Sequence, residues 1–232
     1  MFKNIKCGIF AAGKGERLKK DFPNTPKPLI KIAEKTLIEY VIENLSSLNP
    51  TEIAVLLNNE IGFLVYDYLK DKYKINAIII NSQTSFESFY TLSKYLKEKG
   101  KTIVLSTTDT ISKKEDIQRL VENHINSNSY LTLGITPSIS DEKPLLVEID
   151  KERKKIISIG KKGRYATNGI YALSYDAIND IKPNKYSKLR DFLSSIDLNL
   201  KTISYHIIDE SFDVDDIDDF KEVIKKLKEW KI

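Results

Sequence analysis

Ile5-Lys6-Cys7-Gly8-Ile9-Phe10-Ala11 runs directly into Ala12-Gly13-Lys14-Gly15-Glu16-Arg17-Leu18. The first stretch is a short apolar run that stops at a glycine-rich turn, which predicts a buried central strand. Ligands of an open parallel sheet bind outside the carboxyl ends of its strands. The turn at 12–18 is therefore the first candidate binding element. Small residues and the glycines at 13 and 15 let backbone N–H groups approach an anion closely. Lys14 and Arg17 place positive charge beside those donors, and Arg17 has the fork geometry for two parallel hydrogen bonds to a phosphate.

Outward from that strand, helical and strand periods alternate. Leu37, Val41, Leu45 and Leu48 predict a helix over 36–48, followed by a strand at Ile53–Leu57. A helix marked by Ile61, Leu64, Val65, Tyr68 and Leu69 precedes a strand at Ala77–Ile80. Phe86, Phe89, Leu92 and Leu96 mark a third helix, Thr102–Ser106 a fourth strand, and Ile117, Leu120 and Val121 a fourth helix. This alternation predicts an α/β fold, a Rossmann-like and mostly parallel sheet with helices on both faces. The pattern then changes to closely spaced strands at Tyr130–Thr136, Leu145–Ile149, Lys155–Ile159 and Thr167–Leu173, with a hairpin turn at 150–154. Short helices near 174–181 and 187–195, a strand at Lys201–Ile208 and an amphipathic helix from Ile217 to Trp230 complete the chain. The second half thus reads as an added antiparallel lobe that forms one wall of a substrate pocket.

The composition is that of an ordinary globular domain, with 30% charged and 41% hydrophobic residues in 232. The net charge of +4 suits small anionic ligands and gives no reason to expect nucleic acid as a partner. Cys7 is the single cysteine, so neither an intramolecular disulfide nor a thiolate zinc cluster is expected, and its apolar strand context predicts a small core residue. No apolar run approaches the ~18 residues of a membrane span, and the N-terminus has no signal-peptide hydrophobic region. Membranes are therefore not expected as partners and a cytoplasmic location is. The sequence leaves the oligomeric state open, a homo-oligomer included.

Two short motifs fit the turn poorly. Gly8 to Lys14 matches GxxxxGK by count, but Gly15 stands where the magnesium-binding Ser or Thr belongs, and 9–12 read as strand. GxGxxG fails at its third glycine, which is Leu18. The segment Gly13-x-Gly15-x-Arg17-Leu18, followed after a loop by Pro26-Lys27-Pro28-Leu29, resembles the signature of the sugar-phosphate nucleotidyltransferases. Three further stretches are similar to that family: Ser106-Thr107-Thr108-Asp109, the segment Arg164 to Tyr171, and Phe212-Asp213-Val214-Asp215. The likeness spans about residues 5 to 225.

The resemblance implies the nucleotide-diphospho-sugar transferase fold, magnesium dependence and pyrophosphate release. It implies one nucleotidyltransferase domain over 1–232, with a nucleotide-binding core at 1–126, a mainly substrate-binding part at 127–211, and a metal-ligand segment with the terminal helix at 212–232. The expected partners are a nucleoside triphosphate and a small phosphorylated molecule, a sugar 1-phosphate first. The expected catalytic cations are Arg17, on the triphosphate, and Lys27. Ala11, Ala12, Gly13, Lys14, Gly15, Asn81 and Ser88 are expected around the nucleotide. Asp109 with Asp213 or Asp215 is expected to hold Mg2+, and Lys161 or Lys162, Asn168 and Gly169 to meet the acceptor.

The sequence departs from the family pattern at four places. Ala12 stands where glycine is usual, a mild change, Glu16 stands where a small polar residue is usual, and Thr108 replaces the glycine before the metal Asp. The base-reading stretch Asn81 to Ser88 lacks the family's Gln-Pro and glycine features. With Phe89-Tyr90-Thr91-Leu92 it is closer to the phosphocholine cytidylyltransferases. CTP:phosphocholine cytidylyl transfer is therefore the alternative activity. It would need aromatic walls around a quaternary ammonium, with Tyr165, Tyr171, Phe86 and Phe89 as candidates. A regulatory subunit that binds nucleotide sugars without turnover is the reading from outside enzymology, and the set Arg17, Lys27, Asp109 and Asp213 counts against it.

Overall fold

A computed structural model of the chain describes residues 2–139 and 143–230. In chain order the first half contains β1 (Ile5–Ala11), β2 (Lys31–Ile32), β3 (Lys35–Thr36), α1 (Leu37–Ser46), β4 (Glu52–Asn58), α2 (Gly62–Leu69), β5 (Asn76–Ile80), α3 (Ser85–Leu96), β6 (Thr102–Thr107), β7 (Thr110–Ser112) and α4 (Lys114–Asn126). The second half contains β8 (Leu131–Thr136), β9 (Leu146–Asp150), β10 (Lys155–Gly160), β11 (Tyr165–Leu173), α5 (Tyr175–Asp180), α6 (Leu189–Ser194), β12 (Ile203–Ile207), β13 (Ser211–Asp213) and α7 (Ile217–Trp230).

The parallel half of the main sheet runs β5-β4-β1-β6. The chain builds outward from β1 through β4 to β5, then returns to place β6 on the other side of β1. This reversal puts a topological switch point between the carboxyl ends of β1 and β6, where a crevice opens. Strand β11 then joins β6 antiparallel and carries β8 and β9, so the second half extends the same sheet. β9 and β10 form the hairpin expected around 150–154.

Both faces of the sheet are covered. Ile5, Cys7, Ile9 and Ala11 pack against Val41, Ile42 and Leu45 of α1 and Ile117, Leu120 and Val121 of α4. On the other face α3 lays Phe86, Phe89, Leu92 and Leu96 against Leu56, Leu105 and, from α6, Phe192. Gly8 allows that approach: a Cβ there would stand 2.8 Å from Leu96 and Leu105 and 2.9 Å from Leu92. The helix starts are fixed locally. Thr36 N donates to Glu39 Oε2 at 2.8 Å ahead of α1, and Glu87 N donates to Thr84 Oγ1 at 3.0 Å ahead of α3.

The short ribbon β7–β13, three residues a strand, is too brief to show a period in the sequence. It pairs Thr110 with Asp213 and Ser112 with Ser211, and so ties the segment before α7 to the exit of β6. A third cluster, with Leu18, Ile30, Leu37, Ile111, Val214, Val223 and Leu227, packs α7 beneath the glycine-rich turn.

Candidate active site

The turn after β1 and the segment Pro26–Leu29 come together through Gly15. Gly15 has φ of +60°, and a Cβ there would lie 2.7 Å from Lys27 Cβ. Glycine is needed both for the backbone angle and for the closeness of Lys27. Pro26 and Pro28 frame Lys27 in a single 3-10 turn at Lys27–Leu29, where the missing N–H of Pro28 costs nothing. The Lys27 side chain is thereby carried, 8% exposed, under the floor of the crevice.

Its ammonium is held by two carboxylates. Lys27 Nζ donates to Asp109 Oδ2 at 2.6 Å and to Asp215 Oδ1 at 2.7 Å, and Arg17 donates to the second Asp215 oxygen at 3.0 Å. Burial alone would lower the Lys27 pKa, but Asp109 and then Asp215 outweigh it and raise it, so the group stays cationic. Burial likewise opposes the charge on Asp109, but Lys27 prevails and its carboxyl is held below the usual value. Asp109 is positioned by β6 and by its backbone oxygen, which accepts from Val214 N at 3.1 Å.

Asp213 differs from its neighbours. Its side chain is exposed on the wall of the pocket beside the crevice, and its Oδ1 accepts from the Thr110 hydroxyl across the ribbon. Among the described residues it has no cationic ion-pair partner. Desolvation within the cleft, then the Asp109 charge, push its carboxyl up to about 7. Two carboxylates that repel one another across a cleft, one of them uncompensated, fit a divalent cation. No group of three or more metal-ligating side chains occurs among the described residues, so such an ion would need ligand oxygens and water to complete its shell.

The crevice has a volume of about 640 Å3 and is lined by Ala12 to Arg17, Lys27, Asn81 to Ser85, Ser88, and Thr107 to Asp109. The expected nucleotide contacts Ala12, Gly13, Lys14, Gly15, Asn81 and Ser88 thus share one cavity with Arg17, Lys27 and Asp109. Asn58 and Glu60 line the same cavity, and Lys14 donates to Glu60 at 3.0 Å. A second pocket of about 230 Å3 lies beyond it between β11, α6 and residues 136–139 and 144–145. Its wall carries Ser85, Thr136, Ser138, Thr167, Gly169, Tyr171, Arg190 and Asp213 together with the apolar Ile139, Pro144, Leu145, Ala166, Leu189 and Leu193, so Asp213 faces this second pocket.

Several expected residues are placed elsewhere. Ala11 is fully buried and packs with Cys7 and Ile9 into the opposite layer; strand alternation gives the cleft to Phe10 and Ala12 instead. Asp215, by contrast, lines the expected crevice, where its two oxygens are paired with Arg17 and Lys27, while Asp213 has no such pair among the described residues. Asp216 caps α7, accepting from the N–H groups of Asp218 and Asp219. Lys161 and Lys162 are exposed at the end of β10, at the sheet's edge, and line neither pocket. Asn168 is 1% exposed and turns inward, where its Oδ1 accepts from Ile170 N at 3.3 Å and lies over Gly134. The cause is a pairing irregularity between Thr167 and Tyr171 in which Gly169 takes φ of +82°. Gly169 itself reaches the pocket.

The match of residues 6–229 to the nucleotidyl transferase family decides the assignment. The chain belongs to that family. Over 162 residues it is 28% identical to choline-phosphate cytidylyltransferase of Streptococcus pneumoniae, which covers 69% of this chain and 66% of that protein. It is 25% identical over 229 residues to the bifunctional protein GlmU of Prochlorococcus marinus, covering 93% of this chain and 50% of that one. The chain therefore spans between half and two thirds of the length of these curated relatives. The fold is that of the inositol-1-phosphate CTP transferase from T. maritima, with a TM-score of 0.78 at 16% identity over 99% and 98% of the two chains. HddC from Yersinia pseudotuberculosis, solved with GMP-PN, aligns with a TM-score of 0.75 at 22% identity over 98% and 100%. No helix among the described residues of this family member is long and apolar enough to cross a membrane.

Proposed function

We propose that this chain transfers a nucleoside monophosphate from a nucleoside triphosphate to a sugar 1-phosphate and releases pyrophosphate. The observation that carries this reading is the convergence of Arg17, Lys27 and Asp109 on one crevice, with Asp213 facing the pocket next to it. Phosphoryl transfer is catalysed by positioning and by charge placed where negative charge develops. Arg17 sits on the exposed side, able to leave Asp215 for the triphosphate and the departing pyrophosphate. Lys27 lies deeper and meets the α-phosphate. The attacking atom is an oxygen of the acceptor's phosphate, already anionic, so no side chain has to remove a proton. Asp109 and Asp213 are the carboxylates we assign to Mg2+, which supplies charge neutralisation at the phosphates when bound.

The acceptor pocket favours a polyol over choline. Phe86 and Phe89 are 2% and 0% exposed in the core, where both pack with tilted rings against Phe192. Tyr165 does not line the pocket, so Tyr171 is its one aromatic among the described residues. The wall instead combines the hydroxyls of Ser85, Thr136, Ser138 and Thr167 and the Arg190 guanidinium with apolar residues, which suits sugar oxygens and ring carbons and offers a quaternary ammonium no aromatic cage among the described residues. The likeness to a choline-phosphate cytidylyltransferase keeps phosphocholine as the competing acceptor. A matrix of four triphosphates against hexose 1-phosphates, inositol 1-phosphate and phosphocholine, read by pyrophosphate release with Mg2+, tests the reading. Turnover with a sugar 1-phosphate supports it, and a preference for phosphocholine overturns it. Asp109→Ala should cut kcat/KM by roughly a thousandfold, the scale of losing one group that stabilises transition-state charge.

A further inference from the structure

Beside the acceptor pocket lies another cleft, of about 420 Å3, that none of Arg17, Lys27, Asp109 or Asp213 lines. Its walls are Lys143, Lys188 and Arg190, the hydroxyl residues Thr84, Ser85 and Ser187, and Gln83. Among the described residues no carboxylate and no apolar side chain faces it. The cleft shares Ser85 and Arg190 with the acceptor pocket, so the two are continuous, while Asp213 borders only the latter.

Arg190 is the joint between them. It is half-buried on α6, yet among the described residues its guanidinium has neither a hydrogen bond nor an ion pair. A half-buried guanidinium with its donor fork unused is matched to an oxyanion brought by a ligand. Lys188, two residues earlier and exposed, adds charge on the same wall. An acceptor whose transferable phosphate sits at the Asp213 end of its pocket would extend its far end past Ser85 to Arg190.

Resting on the function proposed above, we infer that Arg190 and Lys188 form a second oxyanion subsite, and that the acceptor carries an anionic group besides its reacting phosphate. That group is a carboxylate or a second phosphate. The test compares kcat/KM for glucose 1-phosphate, glucuronic acid 1-phosphate and glucose 1,6-bisphosphate in the wild-type protein, Arg190→Gln, Arg190→Lys and Lys188→Gln, with melting temperatures as the control for folding. The wild type should prefer one doubly anionic acceptor over glucose 1-phosphate by about tenfold or more, and the one preferred tells carboxylate from phosphate. Arg190→Gln should collapse that ratio, Lys188→Gln should reduce it and Arg190→Lys should retain part of it. Equal use of all three by the wild type overturns the inference. So does an Arg190→Gln loss of the same factor on every acceptor, which would mean that Arg190 reads the shared phosphate. If no triphosphate supports turnover, the proposed function fails on its own account. Calorimetric binding of the same three compounds then decides the subsite by the same ratios.

Discussion

At the scale of single residues the site depends on how close two backbone segments can come. Gly15 lets the turn after β1 touch the Lys27 stem, and no residue with a side chain fits there without moving one of them. Gly15→Ala would force a left-handed backbone on alanine, at about 1–2 kcal/mol, and would push Lys27 away from Asp109 and Asp215. The expected outcome is a fall in melting temperature of roughly 2–8 °C, by the usual scaling for a domain of this size. A fall in kcat/KM for the triphosphate of about tenfold or more should accompany it, because small misplacements of a positioning cation are costly. A variant that loses stability but keeps full activity would show that the Lys27 position tolerates the shift. The motif GxGxRL…PKPL made Gly15, Arg17 and Lys27 legible in the sequence, since each has a chemical reason to stand where it does. Asp215 was harder to read. A row of aspartates before a helix looks alike whether its members cap, pair or bind metal, and only the distances to Arg17 and Lys27 separate those roles.

At the scale of elements, the ribbon β7–β13 and helix α7 hold Asp213 opposite Asp109. Leu227 is 1% exposed beneath that ribbon and packs in one cluster with Val214 and Ile111. Leu227→Ala should cost about 2–5 kcal/mol, as buried leucines do, read as a lowered urea midpoint. If α7 positions Asp213, the Mg2+ concentration for half-maximal activity should also rise; an unchanged metal requirement at reduced stability would limit α7 to a structural role. The parallel half of the sheet was readable because its strands are apolar runs of five to seven residues separated by helices of matching period. β2, β3, β7 and β13 have two or three residues each, too few to show a period, and they exist through their tertiary partners. The same limit hid the second pocket. Whether Asn168 faces the ligand or the core depends on the irregularity at Gly169, and Lys161 and Lys162 are removed by the position of β10 at the sheet's edge. Arg190 lies in a six-residue helix, and nothing in the sequence marks it as facing a cavity.

At the scale of the whole molecule, the second half of the chain is joined to the first through one continuous sheet, and a buried histidine packs between the two halves. His124, near the end of α4, is 4% exposed, and its Nδ1 lies 2.9 Å from the Thr132 hydroxyl of β8, which in turn meets Ser204 of β12 at 2.6 Å. Burial lowers its pKa from 6.5 to about 4, so the folded protein holds it neutral. Between those values the unfolded chain binds a proton that the folded one refuses. Stability from this group is therefore complete above about pH 6.5 and declines as the pH falls toward 4, by about 3 kcal/mol in all. Urea unfolding at pH 7.5 and pH 4.5 measures the loss, to which any carboxylate that titrates in the range also contributes. His124→Gln separates the two, because glutamine can still meet the Thr132 hydroxyl but cannot take up the proton. The variant should lose clearly less stability than the wild type over that interval. An identical loss in both would mean that His124 is already protonated in the fold and that the acid sensitivity arises in the charged cleft, where Lys27, Asp109 and Asp215 are bound together.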